Sequence, residues 1–214
     1  MDRISILIVD DHAIVRKGLK QLLLEEYPFV FVEEAGDAES AVKKVIVKKP
    51  DVVICDLNMP GRNGIDALKQ IKQISPNLPV LIMSMYPEDQ YSLRVLKAGA
   101  AGYLNKESIH DELIPAIQTV LLGKKFITPS VTAMILDSFQ ADAGSSSYFS
   151  HESLSDREFE IFRLLASGKS VSEIAKQLSL SSSTVSTYRS RILEKMNLRS
   201  NSELTRYALE KKLI

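Results

Sequence analysis

Residues 4–121 predict an α/β domain on a five-stranded, doubly wound parallel sheet, and residues 154–213 predict a small all-α domain of four helices containing a helix-turn-helix. Three features of the chain lead there. Short Ile/Val-rich runs alternate with segments of helical spacing, and the alternation stops at Lys124. Beyond Ala143-Gly144-Ser145-Ser146-Ser147, which has the composition of a flexible linker, only helical spacing remains.

The apolar runs Ile4–Val9, Phe29–Val32, Val52–Cys55, Val80–Met83 and Gly102–Leu104 are each short enough for a strand buried on both faces. Between them lie amphipathic stripes: Ile14, Leu19, Leu22 and Leu23; Ala38, Val42, Val45 and Ile46; Ile65, Leu68 and Ile71; Leu93, Val95, Leu96 and Ala98; and Leu113, Ala116, Ile117, Val120 and Leu121. That rhythm implies right-handed βαβ crossovers with helices on both faces of the sheet. Pro129 followed by Val131, Met134, Ile135, Leu136 and Phe139 fits a short amphipathic helix, and the domain boundary is read at 143–147. The expected organisation is a first domain over 1–123, a linker over 124–150 and a second domain over 151–214. In the last of these Leu154–Ala166, Ser170–Leu178, Ser182–Met196 and Ser202–Leu213 are helical, with short connections.

The composition, 214 residues with 27 basic and 27 acidic side chains and 45% hydrophobic, excludes collagen-like, low-complexity and wholly disordered chains. A lone cysteine, Cys55, cannot form an internal disulfide, and it reads as a small core hydrophobe. No run approaches the ~18 apolar residues of a membrane span, and Met1–Asp11 lacks the pattern of a signal peptide, so a cytoplasmic protein with no membrane partner is expected. His12, His110 and His151 are dispersed, which argues against zinc. The balanced charge conceals an asymmetry: residues 1–130 carry 16 bases against 17 acids, residues 148–214 carry 11 against eight. Arg189, Arg191, Lys195, Arg199 and Arg206 cluster in the second domain, as suits a polyanion.

Strand ends supply the chemistry of the first domain. Asp10 and Asp11 follow the first strand, Asp56 ends the third, Ser84 the fourth, and Lys106 follows the fifth; doubly wound topology brings these ends to one edge. Carboxylates so close repel one another unless a cation sits among them, and a few oxygen ligands with room for water suit Mg²⁺. A Lys ammonium and a Ser hydroxyl on the rim can hold phosphoryl oxygens, leaving one carboxylate free to attack phosphorus. Capping of loops or helices explains any one of these aspartates, but not their joint placement.

Ile-Leu-Ile-Val-Asp-Asp-His (6–12), Cys-Asp-Leu-Asn-Met-Pro-Gly (55–61) with Gly64, Ser84, and Gly-Tyr-Leu-Asn-Lys (102–106) resemble a two-component receiver domain across residues 3–123. The resemblance implies a flavodoxin-like fold in which Asp56 accepts phosphate from a sensor histidine kinase. It implies Mg²⁺ ligation by Asp10 or Asp11, Asp56 and the backbone carbonyl of Asn58. Ser84 and Lys106 would bind the phosphoryl oxygens as the remaining catalytic groups, and Ser84 and Tyr103 would form the switch, Tyr103 swinging inward on activation.

In the second domain, Ser170 through Leu178, the turn Ser179-Leu180-Ser181 and the helix from Ser182 have the shape of a helix-turn-helix. Ser170 with Glu173, and Ser181, are candidate caps. At ~100° per residue Val185, Tyr188, Ile192 and Met196 share one face of the second helix, while Ser183, Ser186, Thr187, Ser190, Arg191 and Glu194 share the other. The small, hydroxylated and cationic face can lie in a major groove. Leu154-Ser155-Asp156-Arg157-Glu158, Leu165-Ala166-Ser167-Gly168, Glu173-Ile174-Ala175, Thr184-Val185 and Ile192-Leu193-Glu194-Lys195-Met196 resemble the LuxR-type DNA-binding domain, and with the receiver the chain is similar to a NarL/FixJ-type response regulator. Family contact positions fall on Ser186, Thr187 and Ser190, with Ser183, Arg189, Arg191 and Lys195 as phosphate contacts on double-stranded DNA. Lys and His are common in the family where this chain has Ser186 and Tyr188.

The resemblance implies a transcription regulator switched by phosphorylation, not an enzyme beyond its own phosphoryl transfer, and a homodimer when phosphorylated. The last helix, with Ser202 as a candidate cap and Leu204, Tyr207, Ala208 and Leu209 apolar, serves either as dimer contact or as completion of the core. An aspartyl-nucleophile phosphatase would want a second carboxylate where the chain has Asn58. A flavodoxin-like cofactor binder would want a phosphate cradle where Asp10-Asp11-His12 stands. A regulator with a receiver fold that binds DNA without phosphorylation is the remaining alternative.

Overall fold

In the computed structural model the described residues are 4–61, 63–142, 150–211 and 213–214, with side chains described as far as 137 in the helix that ends at Asp142. The chain divides into two compact units, Met1–Ile135 and Leu136–Ile214. The Ala143–Ser147 stretch read as a flexible linker lies outside the described residues, as does the side chain of Phe139.

The first unit alternates β1 (Ser5–Val9), α1 (Ala13–Glu26), β2 (Phe31–Ala35), α2 (Ala38–Lys48), β3 (Val52–Asp56), α3 (Gly64–Ile74), β4 (Val80–Ser84), α4 (Glu88–Lys97), β5 (Gly102–Asn105) and α5 (Ile109–Leu121). All strands are parallel, in the order β2-β1-β3-β4-β5. The chain reverses its direction of travel across the sheet between β1 and β3, so the crevice beyond their carboxyl ends is the switch point where doubly wound sheets place their chemistry. Every residue of β3 and β4 is buried, which is why they read as unbroken apolar runs. Ile6 and Ile8 of β1, Leu19 and Leu23 of α1, and Leu113, Ala116, Ile117 and Val120 of α5 meet in one core cluster.

Two expectations are corrected here. The second strand is Phe31–Ala35 rather than 29–32, and it is the sheet edge, with Phe31 half exposed. Its Glu33 is held by Lys44 at 2.8 Å and Lys48 at 3.3 Å, and its Glu34 by Arg16 at 3.3 Å and Lys20 at 3.5 Å. An edge strand tolerates such charge and is blunted by it. The linker does not begin at 124. Phe126 bridges to Gly102 of β5, its amide donating to the Ala101 carbonyl at 2.8 Å, and Lys125 Nζ donates to the Ala100 carbonyl at 2.9 Å. A helix, α6 (Pro129–Asp142), then begins with Val131 buried, so the first unit extends to Ile135.

The second unit contains a 3₁₀ turn at His151–Ser153, α7 (Asp156–Ala166), α8 (Val171–Gln177), α9 (Ser182–Lys195) and α10 (Asn201–Glu210). Capping boxes close α7 through Ser155 with Glu158 and α8 through Ser170 with Glu173, and Ser181 caps α9. The cap of α10 is Ser200, not Ser202, which lies inside the first turn. Leu204 and Ala208 of α10 are fully buried and the Tyr207 ring meets Phe162 of α7 edge-on, so most of its apolar surface completes the core and Leu209 alone of the four stays well exposed.

Gly64 opens α3 close against the end of β3. A Cβ there would collide with the Asp56 carbonyl oxygen and stand 2.8 Å from the Leu57 Cα. Because both obstacles are backbone, Gly64→Ala is expected to lower stability by ~2–4 kcal/mol. Gly36→Ala, where the nearest atom lies 3.9 Å away at the end of Arg16, is expected to stay within ~0.5 kcal/mol. Urea denaturation of both variants checks this.

Candidate functional site

Three strands and one loop deliver the pocket's side chains. Asp10 is fully buried just past β1, Asp56 is buried at the end of β3 and Ser84 is fully buried at the end of β4. From beyond β5, Lys106 Nζ lies 2.7 Å from Asp10 Oδ2 and 3.0 Å from Asp56 Oδ1. The Asp10 carboxylate also accepts the His12 amide at 2.7 Å, and its backbone carbonyl accepts Arg16 at 2.7 Å. Burial pushes the Asp56 carboxyl up to about 6; Lys106 opposes that, the neighbouring Asp10 charge adds to it, and a backbone hydrogen bond from Asn58 opposes it again. Burial works against the Lys106 ammonium, yet Asp56 and Asp10 together outweigh it and hold it above the usual lysine range.

Asp10, Asp11, His12 and Asp56 each offer one ligand atom, all within 4.8 Å of one another. Asp11 Oδ1 is shielded from solvent without a hydrogen bond, although His12 Nδ1 approaches to 3.0 Å. Three hard carboxylates, one with an unsatisfied oxygen, fit a divalent cation that prefers oxygen, as Mg²⁺ does. In the sequence His12 stands far from His110 and His151. Its place next to the Asp-Asp pair is the signal that brings it to the rim, where its side chain is 64% exposed.

Ser84 Oγ donates to Asn58 Oδ1 at 3.3 Å and accepts the Tyr86 amide at 3.1 Å. The Tyr103 hydroxyl donates to the Tyr86 carbonyl at 2.6 Å, and its ring is buried on β5. The ring expected to swing inward thus already lies inward in this structure. The structure therefore gathers Asp10, Asp11, Asp56, Asn58, Ser84 and Lys106 at one edge, with Tyr103 reaching the same loop. Burial pushes the Cys55 thiol far up, in keeping with a core residue.

In the second unit α9 divides as its spacing predicts. Val185, Ile192 and Met196 are buried, while Ser183, Ser186, Thr187, Ser190 and Arg191 are exposed. The Thr187 hydroxyl donates to the Ser183 carbonyl at 3.0 Å and the Ser190 hydroxyl to the Ser186 carbonyl at 3.2 Å, leaving both oxygens facing outward as acceptors. Two of the cations read as phosphate contacts also have internal work. Arg189 Nε donates to Asn201 Oδ1 at 2.7 Å, and Lys195 Nζ donates to the buried Glu158 at 2.7 Å. Burial would raise the Glu158 carboxyl, but Lys195 and Ser155 overcome it and hold it below the usual range. Arg191 makes no hydrogen bond or ion pair among the described residues.

Comparison with known proteins decides the family. The family profile "Response regulator receiver domain" matches residues 6–118, and "Bacterial regulatory proteins, luxR family" matches residues 152–208. The chain belongs to the response regulator family. The response regulator is similar along its length to "Oxygen regulatory protein NreC" of Staphylococcus carnosus, 38% identical over 214 residues covering 98% of this chain and 99% of that one. "Response regulator GacA" of Pseudomonas aeruginosa is 36% identical over 207 residues, covering 96% and 95%. Among solved structures, RcsB from Salmonella enterica serovar Typhimurium bound to promoter rprA in the presence of the phosphomimetic BeF3− is 28% identical with a TM-score of 0.62, covering 96% of this chain and 98% of that chain. The response regulator thus joins a receiver to a LuxR-type DNA-binding domain, the make-up of a transcriptional regulator switched by phosphorylation.

A buried carboxylate that titrates near 6 when folded, against ~3.9 when unfolded, disfavours folding once it ionises. The stability held by the protonated form is complete below about pH 4 and lost as pH rises through about 6. In magnesium-free buffer at pH 7, Asp56→Asn is therefore expected to stabilise the receiver by ~1–3 kcal/mol, an advantage that vanishes by about pH 4. Thermal denaturation at the two pH values checks it; an unchanged or lowered Tm at pH 7 rejects the account.

Proposed function

We propose that Asp56 is the phosphoryl acceptor of this response regulator, that a sensor histidine kinase is the donor, and that the phosphorylated chain binds double-stranded DNA as a homodimer. The observation that carries the reading is Lys106 Nζ held between Asp10 and Asp56, with the Ser84 hydroxyl buried at the end of β4, the strand next to that of Asp56. An Asp56 oxygen attacks phosphorus as the bond to the donor breaks, the leaving group departing with its electron pair. Lys106 and Ser84 take the phosphoryl oxygens, and the donor charge of Lys106 passes from the carboxylate to the group it acquires. Asp10 or Asp11, Asp56 and the Asn58 carbonyl would hold Mg²⁺, which when bound offsets the negative charge gathered on the phosphoryl oxygens. Asn58 occupies the position where a hydrolase would need its second carboxylate, so the chain is not an enzyme beyond its own phosphoryl transfer. A regulator that meets chromosomal DNA works in the cytoplasm; no helix among the described residues is long and apolar enough to cross a membrane.

On DNA, α9 is the recognition helix. Two helix-turn-helix units related by a two-fold read half-sites about one helical turn apart, which one small domain cannot. The solved RcsB structures include two RcsB dimers bound to two parallel DNAs, in line with that symmetry.

Incubation with Mg²⁺ and acetyl phosphate is expected to add the mass of one phosphate to the wild-type chain and none to Asp56→Asn. An equal gain in Asp56→Asn, or in excess chelator, overturns the acceptor assignment. Sedimentation on a two-half-site duplex is expected to give two chains per duplex after phosphorylation. DNA affinity unchanged by a proven mass gain would leave the constitutive regulator as the reading.

Arg191, exposed and without a partner among the described residues, is assigned to a phosphate, and Thr187 and Ser190 to base edges. Arg191→Ala is expected to weaken specific and random duplexes alike and reduce the salt slope by about one, whereas Thr187→Ala shifts sequence preference with a smaller change in slope. Titrations at several salt concentrations check the division. If Arg191→Ala relaxed discrimination at a single base pair instead, Arg191 would be a base reader.

A further inference from the structure

The first turn of α6 is fastened to the first turn of α4. The Glu88 carboxylate, at the first position of α4, accepts the Thr128 hydroxyl at 2.8 Å and the Ser130 hydroxyl through the same oxygen, Oε2. Thr128 and Ser130 flank Pro129, where α6 starts, and the Thr128 hydroxyl also accepts the Val131 amide at 3.4 Å. These residues line a cleft of about 550 Å³ whose other walls include Asn105 and Ser108 after β5 and Met134 of α6. Thr128 and Ser130 are 40 and 42 residues from Glu88 in sequence.

The other end of this clasp is the phosphoacceptor pocket. Three residues separate Glu88 from Ser84, and the stretch between them is held at Tyr86, whose amide rests on the Ser84 hydroxyl and whose carbonyl takes the Tyr103 hydroxyl. Its ring stacks on Tyr91 of α4 at 5.2 Å between centroids. Pro87 follows with its φ fixed by the ring, so the stretch has little slack. A Ser84 hydroxyl that turns to donate to a phosphoryl oxygen gives up Asn58 and changes the acceptor it offers to Tyr86. Such a displacement has a short, stiff route to Glu88.

We propose that Glu88 is a positioning residue that couples the pocket to α6: it clasps the start of α6 through Thr128 and Ser130 in the unphosphorylated chain and lets go when Ser84 moves to the phosphoryl group. The inference rests on Asp56 being the acceptor. Along the sequence α6 continues from the first unit across its boundary at Ile135 to Asp142, so its first turn is where a change in the receiver enters the chain that leads to the second unit.

The test uses the full-length chain, hydrogen exchange of residues 129–135 and intact mass. In the wild type, phosphorylation by acetyl phosphate with Mg²⁺ is expected to speed exchange there by roughly fivefold or more, as for loss of a pair of hydrogen bonds. Glu88→Ala, and separately Thr128→Val with Ser130→Ala on the opposite side of the clasp, are expected to show that faster exchange before phosphorylation and little further change after it. Both should gain one phosphate as readily as the wild type, since none of these residues belongs to the pocket. Both should also narrow the ratio of DNA affinities with and without phosphate. Glu88→Gln, which keeps an acceptor oxygen, should restore part of the slow exchange. Wild-type exchange in α6 that ignores a proven phosphorylation, or variants that keep slow exchange and the full affinity ratio, would overturn the clasp. Failure of Asp56 to gain phosphate at all would instead remove the reading beneath it.

Discussion

Asp10 and Asp56 end neighbouring strands, and their carboxylates would repel across the crevice if Lys106 did not lie between them. The ammonium comes from beyond β5, while β4 stands between β5 and β3. Strands ~4.8 Å apart put the two ends near the limit of a lysine's reach. The side chain must therefore reach past the end of β4, where the Lys106 amide donates to the Ser84 carbonyl at 2.8 Å. The order of the strands and the length of Lys106 answer one geometric demand. Carboxylate repulsion and burial leave the pocket short of positive charge even so, since Asp56 titrates near 6 with Lys106 in place. A site in that condition favours a divalent cation, and it accepts a phosphoryl group when the cation accompanies it.

That demand explains what could be read from the sequence. β3 and β4 are central and wholly buried, so composition alone marks them, and the pocket residues sit at their ends by topology rather than by any contact that must be guessed. β2 misled because an edge strand needs only one covered face. Its Glu33 and Glu34 look like loop residues until Lys44, Lys48, Arg16 and Lys20 are seen around them. The stretch after Lys124 misled for a related reason: a single bridge from Phe126 to Gly102 carries no periodicity. Gly102 has to be a glycine there, since a Cβ would stand 2.8 Å from the Phe126 carbonyl oxygen, but a glycine opening a strand has many meanings in a sequence.

The second unit separates the residues that would touch DNA from those that hold the helix that touches it. Spacing recovered the exposed face of α9, because burial of Val185 and Ile192 fixes its rotation. It did not reveal that Lys195 finds Glu158, 37 residues away, or that Arg189 finds Asn201. Glu158 also accepts the Ser155 amide at 2.8 Å, so one buried carboxylate closes the start of α7 and fastens the end of α9. Removing it would strip a cap from one helix and leave the lysine of another without its partner. Basic residues in a DNA-binding helix are thus not interchangeable, and a charge count along the helix overstates the number free to meet phosphates.

The exposed face that remains has a definite polarity. Thr187 and Ser190 spend their hydroxyl protons on carbonyls of their own helix, so in this arrangement they present oxygen acceptors outward. In a major groove the complementary donors are the amino groups of adenine and cytosine. Arg191, presenting only donors, suits phosphate oxygens or a guanine edge. Two acceptors one helical turn apart and a cation beside them form a surface that distinguishes base pairs by its donors and acceptors more than by its charge. Such a surface gains from a second copy, since counterion release supplies much of the affinity and two of its cations, Arg189 and Lys195, are already bonded within the unit. Pairing two copies on one duplex doubles the charge engaged, which makes assembly, rather than the chemistry of α9, the step that phosphorylation of an aspartate in the other unit can profitably control.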